Sequence, residues 1–393
     1  MHEHQGNPRA DSGHKVTMDQ IVIPSDAEYR ALGEYLARSN MRRVLVVCGK
    51  SCGRLRIGQI LDDLAARIGS EFVRFSDFAS NPDYSSVEKG IDVFRAEGCD
   101  SILAIGGGSA MDTAKCIKLY ATMLPGRDYI HEKIVPNAIP FVAVPTTAGT
   151  GSEATRYAVV YYNGEKQSVT DYSCIPSAVL FDPTVLESLP EYQRRATMMD
   201  AFCHAVESFW SVNSTDESRI LSDRAVRMIL DYAEAYLGNA TEGNQKMLEA
   251  ANIAGKAINI TQTTAGHAMC YKLTSLYGIA HGHAAALCVS ALWPYMVTHM
   301  DQCIDPRGKE HLAGAFNGLA AAMRAESSES AATKFGDFLD SLRLDRPKIH
   351  SVEDFAVLKK SVNPVRLKNN PVKLDESAID TLYHQILGEY DES

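Results

Sequence analysis

The sequence predicts a two-part chain: an α/β domain built on a parallel sheet over residues 16–190, then an all-α domain over residues 191–393. Three observations carry this. In the first half, short apolar runs alternate with amphipathic stretches, the pattern of strands crossed by helices. Several of those runs end in glycine or polar turns, as strands facing a crevice do. From Glu191 onward the apolar spacing is mostly 3.6 residues, the period of a helix.

The segments follow in order. Residues 1–15 begin Met1-His2-Glu3-His4-Gln5-Gly6-Asn7-Pro8, polar and mixed in charge. They lack the apolar centre of a signal peptide and read as a disordered tail. Arg43–Cys48 is a buried-strand pattern that stops at Gly49. Phe72–Phe75 is strand-like and leads to Asn81-Pro82, and Tyr84 to Glu97 has helical spacing. Ser101–Ile105 runs straight into Gly106-Gly107-Gly108-Ser109, and Pro140–Pro145 is another apolar run. The character changes around Ala178–Pro183 and Leu189-Pro190, which places a boundary near residue 190. Ser222 to Leu237 and Met247 to Ile260 then read as helices, with no internal repeat or low-complexity tract.

Composition narrows the function. The chain has 393 residues, 45% apolar and 22% charged, enough for a large core. A formal charge of −10 argues against a nucleic-acid partner. The nine cysteines are odd in number and include no Cys-x-x-Cys pair; Cys48 and Cys52 are the nearest. That is the usage of reduced thiols in a cytoplasm. No run of 18 apolar residues predicts a membrane span.

Two turns suit phosphate. Ile105-Gly106-Gly107-Gly108-Ser109-Ala110-Met111-Asp112-Thr113-Ala114-Lys115 is a strand, a glycine turn and a helix start. Absent side chains let backbone approach a pyrophosphate, and the helix N-terminus offers free N–H groups. It is not the Gly-x-Gly-x-x-Gly fingerprint. Pro145-Thr146-Thr147-Ala148-Gly149-Thr150-Gly151-Ser152-Glu153 adds hydroxyls for phosphate and ribose oxygens, and Asn81 is placed to face the same ligand. Three such turns at strand ends would form one crevice.

One carboxylate and three imidazoles suit a metal ion. Asp200 and His204 stand four apart, on one face of a helix. His267 and the His281-Gly282-His283 stretch supply the rest, and imidazole with carboxylate favours Fe, Zn, Ni or Cu. Cys203 and Cys270 border these residues and read as small core fillers, and Phe209-Trp210 as core or pocket wall.

Taken together, Gly-Gly-Gly-Ser-x-x-Asp-x-x-Lys at 106–115, Pro-Thr-Thr-Ala-Gly-Thr-Gly-Ser-Glu at 145–153, Asp-x-x-x-His at 200–204, Gly-His-Ala-Met at 266–269 and His-Gly at 281–282 resemble the iron-dependent, or group III, alcohol dehydrogenases. The motifs follow the family's order over most of the chain. The resemblance implies a dehydroquinate-synthase-like fold, with an N-terminal nucleotide-binding α/β domain, a C-terminal helical domain and a metal in the cleft between them. It implies Asp200, His204, His267 and His281 as ligands of Fe(II) or Zn(II). It sets the cofactor pyrophosphate on Gly107, Gly108 and Ser109, with Asp112 in the same motif. Thr146, Thr147 and Thr150 would line the adenosine half and its phosphate, Asn81 the ribose, and Lys166 the nicotinamide end. A homodimer fits the same family.

Two departures stand out. Where the family often has a second histidine four residues after the third ligand, this chain has Tyr271. Tyr271 and His283 are therefore the candidate catalytic proton carriers. At the end of the second strand, where NAD-preferring members carry an acid, this chain has Gly49 and Lys50 with Arg54 nearby, which admits NAD(H) and leans to NADP(H). The expected reaction is hydride transfer between NAD(P)H and a small aldehyde or alcohol. Ser152–Tyr157, Ser208–Thr215 and Asn259–His267 resemble the phosphonate-pathway branch of the family, which implies phosphonoacetaldehyde reduced to 2-hydroxyethylphosphonate. Arg156, Tyr157 and Lys272 are the expected substrate contacts, with Lys256 and Arg366 as further cations. The alternatives are an uncharged short-chain alcohol, aldehyde or diol, and, in the same fold, a dehydroquinate-synthase-like cyclase acting as a lyase.

Overall fold

Eight strands occur in chain order: β1 (Ile21–Ile23), β2 (Arg43–Cys48), β3 (Glu71–Phe75), β4 (Ser101–Gly106), β5 (Phe141–Pro145), β6 (Tyr157–Tyr162), β7 (Glu165–Thr170) and β8 (Ala178–Leu180). The structure, a computed structural model, describes residues 20–362 and 364–388, so the expected tail at 1–15 lies outside the described residues. Six strands form one parallel sheet in the order β1-β8-β5-β4-β2-β3. Between them run α1 (Arg30–Arg38), α2 (Arg56–Ile68), α3 (Tyr84–Ala96) and α4 (Gly108–Tyr120). Every residue of β5, and all but one end residue of β2 and of β4, is buried, because the sheet is covered on both faces. Parallel register aligns Gly106 with Pro145 and Cys48 with Ile105, so the glycine turn, the threonine turn and Gly49 emerge side by side at one edge.

Two strand features carried no clear apolar signal. β1 pairs with β8 at the sheet edge. β6 and β7 form a separate antiparallel hairpin closed by Asn163 and Gly164, at φ 50° and 78°. Positive φ at both central residues is what a tight hairpin turn demands, and Asn-Gly supplies it.

Ten helices follow: α5 (Glu191–Trp210), α6 (Asp216–Leu237), α7 (Thr241–Thr261), α8 (Ala265–Tyr277), α9 (His281–Thr298), α10 (Lys309–Ala322), α11 (Ser328–Ser341), α12 (Glu353–Ser361), α13 (Pro364–Leu367) and α14 (Glu376–Leu387). α5 packs against α6, α7, α9 and α10 and is buried all round from Met198 to Trp210. Phe202 meets Phe335 at 5.0 Å between ring centroids, and Trp210 meets Trp293 edge-on at 5.3 Å, so Trp210 is core.

The halves meet backbone to backbone. Gly151, at φ 57°, lies against Gly255 of α7, where an added Cβ would stand 2.6 Å from the Gly255 Cα. Asn252 of α7 donates to Glu153 Oε1 and to Gln20 Oε1, both at 3.1 Å. The threonine turn is thus anchored to the helical half, which sets the nucleotide edge of the sheet beside α5. Among the described residues no helix is long and apolar enough to cross a membrane.

Candidate metal and nucleotide site

Three helices deliver the metal-type residues. Asp200 and His204 sit one turn apart on α5, His267 in the first turn of α8 and His281 at the first position of α9. Gly282 lets α9 close on α5, since a Cβ there would stand 2.1 Å from the Ala196 carbonyl oxygen and 2.5 Å from the Asp200 Cβ. Ligand atoms of Asp200, His267 and His281 all lie within 4.8 Å of one another. Asp200 Oδ1 is 3.5 Å from His267 Nε2 and 3.9 Å from Nε2 of both His204 and His281. Ligands about 2.1 Å from a tetrahedral ion stand about 3.4 Å apart, so this spacing fits an ion among them. Asp200 Oδ1 and His267 Nε2 are buried without a hydrogen-bond partner, a costly state that a metal ion relieves. The residues therefore fit the metal that their chemistry implies.

Electrostatics divide the three rings: burial would lower His267, but the Glu207 and Asp200 carboxylates outweigh it and raise that ring to about 9. Burial would raise the Asp200 carboxyl, but the surrounding imidazoles of His204, His267 and His281 outweigh it and hold the group well below the usual carboxylate range. Burial pushes His204 down to about 4 and His281 down to about 3, so both present neutral, ligating rings.

Glu207 has no part in the sequence reading. It is fully buried on α5 and accepts through Oε1 from the Thr264 backbone N–H (3.0 Å), the Thr264 hydroxyl (2.6 Å) and the His267 backbone N–H (3.3 Å). Its Oε2 takes a short hydrogen bond from His267 Nδ1. That bond fixes the His267 tautomer and leaves Nε2 for the metal. The missed signal was spacing: Asp200, His204 and Glu207 at i, i+4 and i+7 form one helical stripe. Cys270 is buried, as expected of a core filler, and its thiol also stands 3.6 Å from His281 Nδ1.

Tyr271 lies beside the cluster, as its place in the sequence implied. Its ring stacks on His281 at 5.4 Å between centroids and 21° between planes. Lys166 Nζ lies 3.4 Å, and Arg366 Cζ 5.1 Å, from the centroid of the same ring. Burial raises the Tyr271 phenol above its ordinary value, so it keeps its proton at neutral pH.

The nucleotide-type residues also converge. Gly107 precedes α4, whose first residues are Gly108 and Ser109. Gly107 packs against Thr147 and Gly108 against Thr150, and the Thr146 backbone N–H donates to Gly106 O at 3.0 Å. Asn81, at φ 56°, donates its backbone N–H to Ser109 Oγ at 3.3 Å. Gly49 and exposed Lys50 follow β2.

Several expected contacts have other work. His283 stands about 200° around α9 from His281; its Nδ1 meets the Tyr192 hydroxyl at 3.1 Å, and the same hydroxyl accepts from the Ala280 backbone N–H at 2.8 Å. It braces the turn that presents His281 and does not join the cluster. Asp112 accepts from Ser152 Oγ (2.8 Å) and the Val159 backbone N–H (3.1 Å), so it ties α4 to the threonine turn and β6 instead of offering a free carboxylate to a cofactor. Lys115, wholly buried, donates to the carbonyls of Thr155 (2.8 Å) and Tyr157 (2.7 Å). Arg156 is held between the rings of Tyr157 and Tyr172 and donates to the Tyr172 hydroxyl (2.6 Å) and the Asn259 carbonyl, so its guanidinium is engaged in joining the two halves. Lys272 is half-buried and turned about 100° around α8 from Tyr271, with no described contact to the cluster.

Comparison with known proteins decides the family. The description "Iron-containing alcohol dehydrogenase" matches residues 20–183, and "Fe-containing alcohol dehydrogenase family, C-terminal" matches residues 195–387. The chain belongs to the iron-containing alcohol dehydrogenase family. It is an oxidoreductase of aldehydes and alcohols, with the fold of that family. A phosphonoacetaldehyde reductase of Streptomyces viridochromogenes is 31% identical over 302 residues, 73% of this chain and 76% of that protein. An iron-containing alcohol dehydrogenase of Thermotoga maritima is 27% identical with a TM-score of 0.78, covering 94% of this chain and 98% of that one. A sulfoacetaldehyde reductase of Bifidobacterium kashiwanohense, solved with NAD+, shares the fold at 24% identity and a TM-score of 0.82, over 94% of this chain and 97% of its own.

Proposed function

We propose that this protein reduces phosphonoacetaldehyde to 2-hydroxyethylphosphonate with NAD(P)H. The observation that carries the reductase reading is the cluster of Asp200, His267 and His281, with His204 3.9 Å from Asp200 and two of the cluster's ligand-type atoms, Asp200 Oδ1 and His267 Nε2, buried and unpaired. Likeness to the phosphonoacetaldehyde reductase supports the substrate. When bound, Fe(II) or Zn(II) supplies Lewis acidity at the carbonyl and the nicotinamide supplies hydride.

The chain's own residues do the rest. Gly107, Gly108, Ser109, Thr146, Thr147 and Thr150 hold the pyrophosphate and adenosine half at the strand ends, with Asn81 above them. Glu207 keeps His267 in one tautomer. Tyr271 holds its proton at the phenol oxygen and is the donor to the oxygen that gains charge. Fixing both reactants in one cleft contributes roughly 7–11 kcal/mol towards the barrier.

For the cofactor we favour NADP(H), because Gly49 and Lys50, and no acid, follow β2. Asp77, beyond β3, is the nearest counter-observation, and Lys89 pairs with it at 2.7 Å. Nine free thiols support a reducing cytoplasm, and the exposed Ile21 and Val22 on edge strand β1 support a homodimer. The test follows NADPH and NADH oxidation with phosphonoacetaldehyde, propanal and lactaldehyde. Phosphonoacetaldehyde is expected to give the highest kcat/KM. Equal turnover of all three assigns an uncharged aldehyde or alcohol instead.

A further inference from the structure

Two cations beside the metal cluster have no carboxylate partner among the described residues. Lys166 comes from β7 and Arg366 from α13, and each lies against the Tyr271 ring, at 3.4 Å and 5.1 Å from its centroid. They are therefore no farther apart than the sum of those distances. Neither forms a salt bridge among the described residues, and the chain as a whole has a formal net charge of −10. Two part-buried like charges in one place cost free energy unless an anion joins them. An oxyanion taking charge-assisted hydrogen bonds of about 2.8 Å on two sides spans roughly 8 Å, enough to bridge the pair.

Neutral groups complete the cradle. Arg366 Nη1 donates to the Thr263 hydroxyl at 3.4 Å. The Tyr157 hydroxyl is buried without a hydrogen-bond partner of good geometry; the Arg156 charge, the Gln262 side chain and, more weakly, the Arg366 charge act on it. Beside it Gln262 is held at φ 59°, a left-handed conformation that a residue with a side chain adopts only when its surroundings impose it. Those surroundings are visible: Asn369 donates to Gln262 Oε1 (3.0 Å) and to the Thr263 carbonyl (3.2 Å), and Ser211 and Asn213 both donate to the Thr261 carbonyl. The loop that presents these groups is thus fixed before any ligand arrives. Tyr271 lies between the two features, stacked on His281 and touched by both cations. Ligating imidazole and cations all lie against this one ring, so a ligand engaging both is short.

We infer that Arg366, with Lys166, Tyr157 and Thr263, forms the specificity subsite for a terminal dianionic oxyanion of a two-carbon aldehyde whose carbonyl faces the metal cluster. This rests on the reductase reading, and it moves substrate recognition from Arg156 and Lys272 to Arg366. A phosphonate and a sulfonate share the tetrahedral oxyanion, but two cations match the phosphonate's second charge.

The test is calorimetric, on the full-length Fe(II)-loaded protein with NAD+ bound, using ethylphosphonate and ethanesulfonate, which cannot react. Ethylphosphonate is expected to bind the wild type and to lose roughly 10- to 150-fold in affinity in Arg366→Gln, the range for a hydrogen bond to a charged group. Arg366→Lys keeps the charge without the fork and should restore part of the loss. Tyr157→Phe removes only the unpaired hydroxyl and should cost roughly 2- to 10-fold. Equal affinity in wild type and Arg366→Gln overturns the assignment. So does a parallel loss of NADH affinity in that variant, since Arg366 would then act on the fold or the cofactor. Ethanesulfonate binding as tightly as ethylphosphonate overturns the dianion preference. If phosphonoacetaldehyde is not reduced yet ethylphosphonate binding depends on Arg366, the subsite stands and the substrate reading falls. If it is reduced with no Arg366 dependence, the reverse holds.

Discussion

At the scale of single residues, the distinction that matters is between groups that meet a metal and groups that orient those groups. Glu207 never reaches the cluster's open side, yet it takes three donors on one oxygen and the His267 ring on the other. Burial raises its carboxyl while the His267 charge and its hydrogen bonds lower it, and the balance leaves it below its ordinary value, hence ionised. An ionised partner makes His267 a better ligand and forbids the wrong tautomer. Glu207→Gln keeps the size and removes the charge. It is expected to weaken metal affinity about 10- to 100-fold, read by competition against a chelator of known affinity. Near-UV circular dichroism unchanged from wild type would show that packing survives. Metal affinity within twofold of wild type would leave Glu207 a merely structural residue.

At the scale of elements, glycines decide which surfaces may touch, and two of them make opposite predictions. In α7, Gly255 faces Gly151 so closely that a Cβ would stand 2.6 Å from the Gly151 carbonyl oxygen. Gly255→Ala is expected to destabilise by about 1–3 kcal/mol through overpacking, seen as a lower urea midpoint. In α10, a Cβ on Gly314 would meet nothing within 4 Å. Gly314→Ala is expected to stabilise by about 0.5–1 kcal/mol, because alanine gives up less backbone entropy in a helix. A matching loss in both variants would refute the close-approach argument. The elements also explain what the sequence made legible. β2, β4 and β5 are apolar runs because both sheet faces are covered, and Asp200 with His204 is a four-residue step on one helix. β7 is Glu-Lys-Gln-Ser-Val-Thr with one buried residue, so no apolar period marks it, and Lys166 was reachable only through family resemblance. Arg366 sits on a four-residue helix far from every motif, and nothing local signals its position. His283 was misplaced for the converse reason: two histidines two apart look equivalent in a string, but a helix turns them to opposite sides.

At the scale of the whole molecule, the cluster joins three helices, two of which Glu207 already ties together by hydrogen bonds. α5 carries Asp200 and His204 through the core, the first turn of α8 carries His267, and α9 begins at His281. Without an ion, the arrangement buries one acceptor and two ring nitrogens unpaired, and an acidic carboxylate relies on neighbouring imidazoles for compensation. An ion bound only by the folded chain adds its binding free energy to stability, about 2.7 kcal/mol when its free concentration is 100 times the Kd. Chelation followed by gel filtration is therefore expected to lower the thermal midpoint, and restoring Fe(II) or Zn(II) to raise it again. His267→Ala, which deletes the ligand that Glu207 orients, should shrink that metal-dependent shift towards zero while the nucleotide crevice, built from β2, β4 and β5, still binds NADH. A midpoint indifferent to metal in the wild type would mean that packing and the Glu207 hydrogen bonds hold the three helices, and that the unpaired atoms at their meeting point are compensated by something other than an ion.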